Sequence, residues 1–204
     1  MLFLDEFLEF PGKLLEMLRQ PLEDGEISIN RVNASYSYPA KFVLIGALNP
    51  CPCGFLGDKE KSCICSESQI ERYRSKLSGP ILDRIDLFIR VPRIKIEDFS
   101  EHKKKPKTSL EIKEQIERAR AFGKIRFQGT KKTYNAEMDN EDVESYCILG
   151  AEEDSFIKSA MERLSLSTRI YFRILKLART IADLEGSEDI KLPHLAEALS
   201  YRKI

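Results

Sequence analysis

Leu2-Phe3-Leu4-Asp5-Glu6 opens the chain: three apolar residues delivering two adjacent carboxylates. An apolar strand that ends in Asp-Glu presents both side chains at the C-terminal edge of a sheet. In nucleotide-hydrolysing sites an Asp so placed helps to hold Mg²⁺, and the Glu polarises the water that attacks the γ-phosphate. The plainer reading is a buried strand followed by an acidic turn. A phosphate-cradling loop of the form G-x-x-x-x-G-K-[ST] belongs with such a strand. None occurs in the 204 residues, so the sequence reads as the second half of a nucleotide-driven machine.

The remaining strand signals fit an α/β core. Phe42-Val43-Leu44-Ile45-Gly46-Ala47-Leu48 is a continuous apolar run, the pattern of a central parallel strand buried on both faces. Glu26 to Arg31 alternates with Ile27 and Ile29 on one face, and Tyr36 and Tyr38 alternate back across Val32-Asn33-Ala34, predicting a hairpin. Ile85 to Val91 reads as a further strand stopped by Pro92. Pro11 starts a helix with Phe10, Leu14, Leu15 and Leu18 on its apolar side, closed by Pro21 and Glu23-Asp24-Gly25. A polar helix spans about Ser68 to Leu77.

Composition shifts near residue 100. His102-Lys103-Lys104-Lys105-Pro106-Lys107 is a charged linker, after which Thr108 and Glu111 can form a capping box. Ile112, Ile116 and Ala119 share a face of the helix that follows. From Met138 onward the pattern is helical, with Ile170, Ile174, Leu177, Ile181 and Leu184 at three- and four-residue spacing and a last helix from Pro193 through Leu199. The expected division is a core over 1–99, a linker and helix over 100–137, and a helical domain over 138–204.

Bulk numbers exclude some classes. Lys+Arg and Asp+Glu both total 33, so overall charge gives no argument for a nucleic-acid partner. No apolar stretch reaches the length of a membrane span, and no secretory leader is evident, which predicts a cytoplasmic protein with no membrane partner. In that reducing setting clustered cysteines favour metal over disulfides. Cys51-x-Cys53 and Cys63-x-Cys65 place four of the five cysteines close together, a set suited to one tetrahedral Zn²⁺. The spacing is tighter than the common C-x₂-C, and free thiols are the alternative. Cys147 reads as a packed residue, and His102 and His194 as exposed.

Three further residues can carry chemistry. Asn49 ends the Phe42–Leu48 run, where a polar side chain can orient an attacking water; it can equally be part of an Asn-Pro turn. Arg84, before the Ile85 run, can reach a neighbour's phosphate as an arginine finger, or pair locally with Asp83 or Asp86. Arg169 begins the long amphipathic helix, as a cleft-facing cation or a solvated helix residue, with Arg173 and Arg179 as rivals. The basic runs Lys103–Lys107 and Lys131-Lys132 are solvated faces or phosphate contacts.

Together these segments resemble the magnesium chelatase-like AAA+ ATPases of bacteria, including ComM-type competence proteins. The resemblance runs through Leu2–Glu6, Leu18–Glu26, Asn49–Gly54, Leu77–Leu87, Arg173–Leu184 and His194–Arg202, and so covers nearly the whole chain. It implies Asp5 and Glu6 as the Walker B pair, Asn49 as sensor 1, Arg84 as the arginine finger and Arg169 as sensor 2 in a helical lid. It also implies that the hairpin is the insertion that projects toward a DNA channel, with Arg31 as a DNA-contact candidate. ATP and Mg²⁺ are the implied cofactors, with structural Zn²⁺ at the cysteines. The implied partners are DNA and copies of the same chain in a ring, hexameric in relatives, acting in branch migration. The implied fold is α/β: a truncated AAA+ (P-loop NTPase) core beginning at Walker B, with the hairpin insertion and zinc-type loop, followed by an all-α lid.

Two other functions are open on the sequence. One is the ATPase subunit of a true magnesium chelatase, driving metal insertion into a porphyrin. The other is a non-enzymatic interaction module stapled by zinc. Because the phosphate loop is absent from these residues, the chain alone is expected neither to bind ATP tightly nor to hydrolyse it.

Overall fold

The computed structural model describes residues 1–32, 34–92 and 107–202. They fall into two compact units divided between Ile85 and Asp86. The first is mixed α/β, and among the described residues the regular structure of the second is helical.

In the first unit, β1 (Leu2–Leu4) pairs in parallel with β4 (Leu44–Gly46), matching Leu2 with Leu44 and Leu4 with Gly46. The pairing extends past both strands, since the Ala47 N–H donates to the Leu4 carbonyl and the Phe7 N–H to the Ala47 carbonyl. Leu4 and Leu44 face a small core of Phe7, Leu15 and Ile81. Phe3 and Ile45 lie opposite each other in the register and remain exposed, as does Val43. The expectation of a strand buried on both faces is thus corrected. Among the described residues only one face of this pair is covered.

Helix α1 (Gly12–Met17) starts after Pro11, and α2 (Arg19–Asp24) follows at once. Pro21 lies inside α2 rather than ending it, because its missing N–H falls in the first turn, where no intrahelical acceptor is available. Gly25, at φ 67, closes α2 in the left-handed conformation and releases the chain into β2 (Glu26–Arg31). β2 pairs antiparallel with β3 (Ala34–Pro39), placing Ile27 across from Tyr38 and Ile29 across from Tyr36. Helices α3 (Glu67–Arg74) and α4 (Gly79–Leu82) complete the unit, capped by Ser66 and Ser78. The strand expected over Ile85–Val91 does not form. Those residues pair with no strand among the described residues, and the Phe88 N–H instead donates to the Tyr201 carbonyl.

The second unit begins with α5 (Ser109–Arg126), whose Thr108–Glu111 capping box forms as read. His102 and Lys103 to Pro106 lie outside the described residues, as does Asn33 in the hairpin turn. Helices α6 (Asn140–Tyr146), α7 (Ala151–Arg163), α8 (Thr168–Glu185) and α9 (Leu192–Ser200) enclose a core containing Val143, Ile157, Ile174, Ala178, Ala182 and Leu195. Cys147 is packed in this core, where burial raises its thiol pKa to about 11.

Candidate functional site

The β1–β4 register brings the ends of the two strands together. Asp5 and Glu6 follow Leu4, Asn49 follows Gly46 by three residues, and all three side chains are exposed. The Glu6 N–H donates to Asp5 Oδ1 at 2.9 Å, so the turn itself holds the Asp carboxylate. Glu6 adopts φ 49 and ψ 44, a left-handed conformation costly for a residue with a Cβ. It starts a 3₁₀ turn over Phe7–Glu9, in which the Glu9 N–H donates to the Glu6 carbonyl. Gly46 lies under the Phe7 ring, and a Cβ there would meet ring carbons at 3.2 Å. A flat residue at Gly46 therefore sets the path by which Phe7 anchors the acidic turn.

Asn49 leads directly into the cysteine loop. Cys51, Cys53 and Cys63 place their sulfurs 3.4 to 3.6 Å apart, and all four sulfurs, Cys65 included, lie within 4.8 Å of one another. These separations exceed the ~2.05 Å of a disulfide. Four thiolates about 2.3 Å from a tetrahedral Zn²⁺ stand ~3.8 Å apart, so the set fits that ion.

The thiols are unequal. The backbone N–H groups of Phe55 and Ile64 lower Cys53 to about 6. The Cys65 N–H pulls Cys63 down, but desolvation and the neighbouring sulfurs outweigh it and raise the group to about 12. Burial also raises Cys65. Cys53 therefore ionises before Cys63 and Cys65, and a cation is needed to deprotonate those two near neutral pH.

Arg84 follows α4 and is buried. It forms an ion pair with Glu23 at the end of α2, and its Nη1 donates to the Pro80 carbonyl at 2.6 Å. Asp86, one of the local acids read from the sequence, accepts from Arg173 at 2.5 Å. Arg31, at the end of β2, is exposed. The hairpin has a polar face, where Ser35 donates to Asn30 and Ser37 to Glu26, and an Ile-Tyr face that stays exposed.

In the second unit Arg169 lies exposed in the first turn of α8. Its rivals have other partners. Arg173 binds Asp86, while Arg179 is buried, donating to Asp183 and to the carbonyls of Ser187 and Glu188. Lys132 of the second basic run binds Asp139 and Asp142.

Two features of this unit were not legible as such in the sequence. Asp183 accepts a two-pronged bond from Arg126 and further bonds from Arg179 and Asn135, forming a buried polar network. The sequence hint was its place in the Arg173–Leu184 segment. His194, expected to be exposed, is buried: the Lys191 N–H donates to its Nδ1, and its Nε2 meets Glu185. Its position at the third residue of α9 lets the ring cap the helix start, and this local role is what buries it.

Comparison with known proteins covers nearly the whole chain. The family described as magnesium chelatase, subunit ChlI, matches residues 1–99, and its C-terminal counterpart matches residues 106–202. Competence protein ComM of Haemophilus influenzae is 44% identical over 202 residues, which is 98% of this chain and 38% of that protein. Uncharacterized protein YifB of Salmonella typhimurium is 38% identical over 204 residues, 100% of this chain and 39% of that protein. The chain thus spans under two-fifths of the length of these relatives.

Proposed function

Because this chain belongs to the magnesium chelatase family, subunit ChlI type, we propose that it supplies the Walker B, sensor 1, arginine-finger and sensor 2 residues of an ATP-driven, ring-forming DNA motor. In this reading residues 1–99 are the later part of the AAA+ core and 138–204 are the helical lid. ATP with Mg²⁺ supplies the free energy of phosphoryl transfer when bound. Asp5 would hold the cation, Glu6 would accept the proton of the attacking water, and Asn49 would orient that water. Arg169 and a neighbouring copy's Arg84 neutralise developing phosphate charge. Arg31 contacts DNA phosphate from the hairpin. Cys51, Cys53, Cys63 and Cys65 hold a structural Zn²⁺, with no open position for catalysis.

The observation that carries this reading is the parallel β1–β4 pair, which sets Asp5-Glu6 and Asn49 at one sheet edge. The ComM identity supports the choice of a DNA motor over porphyrin metallation. No helix among the described residues is long and apolar enough to cross a membrane. The test is ATP turnover and branch migration on a four-way junction by the full-length protein. Glu6→Gln is expected to keep ATP binding and ring assembly and to lower turnover at least 100-fold. Unchanged turnover in that variant would overturn the assignment.

A further inference from the structure

We infer that a metal held by Cys51, Cys53, Cys63 and Cys65 acts as the positioning element for Asn49, so that occupancy of the thiolate centre sets the geometry of the water-orienting residue. This rests on the reading of Asn49 as sensor 1 and of the four cysteines as one metal centre.

Asn49 is fixed from the strand side, because β4 is bonded to β1 and the Ala47 amide group is tied to both Leu4 and Phe7. On its other side lies a loop with almost no apolar core. From Pro50 to Ser66 there is no helix or strand, and Cys51 is the one buried residue of that stretch. A loop of this length without secondary structure needs another source of order, and the convergent sulfurs are what the loop offers.

The first ligand turn folds back over Asn49 itself. The Gly54 N–H donates to the Cys51 carbonyl at 2.9 Å, closing a turn over Cys51–Gly54. Gly54 has φ 81, which only glycine adopts without strain. A Cβ at Gly54 would lie 3.8 Å from Asn49 Oδ1, so the turn packs directly on the side-chain amide. The last ligand is coupled as well. Cys65 precedes Ser66, the cap of α3, and the far end of α3 returns Arg74 Nε to the Pro50 carbonyl at 3.3 Å. The residues flanking Asn49 are therefore held through the sulfur cluster at both ends of the loop. Without a cation the two ligand pairs are joined by weak contacts, such as those of Cys51 and Cys53 with the Cys63 sulfur and of the Ile64 N–H with Cys53.

The test compares metal-loaded full-length protein, the same protein stripped by a chelator, and the variants Cys65→Ser and Gly54→Ala. Hydrogen exchange is read on the peptide covering 44–54, alongside metal content and ATP turnover. One zinc per chain is expected when loaded. Stripping or Cys65→Ser should speed exchange in that peptide at least 10-fold and lower turnover to the level of Asn49→Ala, with ATP affinity unchanged. Gly54→Ala retains all four ligands and should keep its zinc while losing turnover about 10-fold, which separates positioning from loss of folding. Zinc retained when loaded, but exchange at 44–54 indifferent to its removal, would overturn the inference. Failure to retain any metal would instead refute the thiolate centre on which it rests. Exchange that responds to zinc while Asn49→Ala turns over normally would refute the sensor assignment.

Discussion

Glu23 at the end of α2 holds the guanidinium of Arg84, whose side chain is 7% exposed against 35% for the glutamate. The pair joins two segments far apart in sequence. Truncating either residue removes this ion pair from a buried or half-buried group, which costs about 1–3 kcal/mol. Glu23→Ala and Arg84→Ala should each lower the stability of the first unit by that amount. The double variant should cost at least about 1 kcal/mol less than the sum. Urea unfolding of the four proteins measures the cycle, and additive losses would show that the two residues do not interact. Arg84 can reach a neighbouring nucleotide only if this pair opens.

Glu6 is held at φ 49, and its conformation is part of how the acidic turn is presented. The left-handed region costs a residue with a Cβ about 1–2 kcal/mol, while glycine adds about 0.5–1 kcal/mol of unfolded-state entropy. Glu6→Gly should therefore be neutral to about 1.5 kcal/mol more stable, although it removes the proposed base. Glu6→Ala should not stabilise, because it keeps the Cβ. Denaturant midpoints of the two variants decide this, and a Glu6→Gly midpoint below that of Glu6→Ala would mean that the turn carries no strain.

Local features of the fold were the most legible in the sequence. The Thr108–Glu111 capping box, the Glu26–Pro39 hairpin and the helix begun near Pro193 each depend on residues close in the chain, and each forms as read. On α8 the apolar spacing pointed to Ile170, Ile174, Leu177, Ile181 and Leu184. Ile170 and Ile174 are buried and Leu177 and Ile181 pack against the core, but the most buried stripe turns toward Leu175, Ala178, Arg179, Ala182 and Asp183, and Leu184 is exposed. A charged pair inside that stripe disguises it, since periodicity counts apolar residues and cannot see that Arg179 and Asp183 satisfy each other. Ile85–Val91 has strand-like residues but lacks a neighbouring strand among the described residues, and pairing is a property of the fold. At the candidate site, residue types and their order were legible, and so was the cysteine set. The Glu23 partner of Arg84 was not, because nothing local links them.

Metal binding at the four cysteines should depend steeply on pH. Cys53, lowered to about 6 by the Phe55 and Ile64 N–H groups, is ionised at neutral pH. Cys63, raised to about 12, and Cys65, raised by burial, still carry protons there. Binding must expel at least those two protons, so protons compete with the ion and affinity falls as pH falls. Between pH 6.5 and 7.5 the apparent zinc affinity should rise at least about 100-fold, the mass-action result for two protons released over one unit. Competition with a chromophoric chelator at fixed pH values measures it. A flat profile would mean that the cysteines are not the ligands.

Asp183 is where the second unit is most exposed to a single change. Its side chain is 4% exposed and accepts from Arg126, at 10%, and Arg179, at 4%. Two buried guanidinium groups thus depend on one carboxylate, with Asn135 completing the set. Replacing the acid leaves two positive charges together in a low-dielectric core, and breaking such an arrangement costs about 3–5 kcal/mol. Asp183→Asn preserves shape and one acceptor oxygen but removes the charge, so it isolates the electrostatic part. It should lower the stability of the second unit by about 3 kcal/mol or more, while Asn135→Ala, which leaves the charges unchanged, should cost about 1–2 kcal/mol. Thermal unfolding followed by far-ultraviolet circular dichroism gives the comparison. If Asp183→Asn costs no more than Asn135→Ala, the carboxylate's charge does not hold the helices together, and packing of Ile174, Ala178 and Leu195 would have to account for the unit's stability.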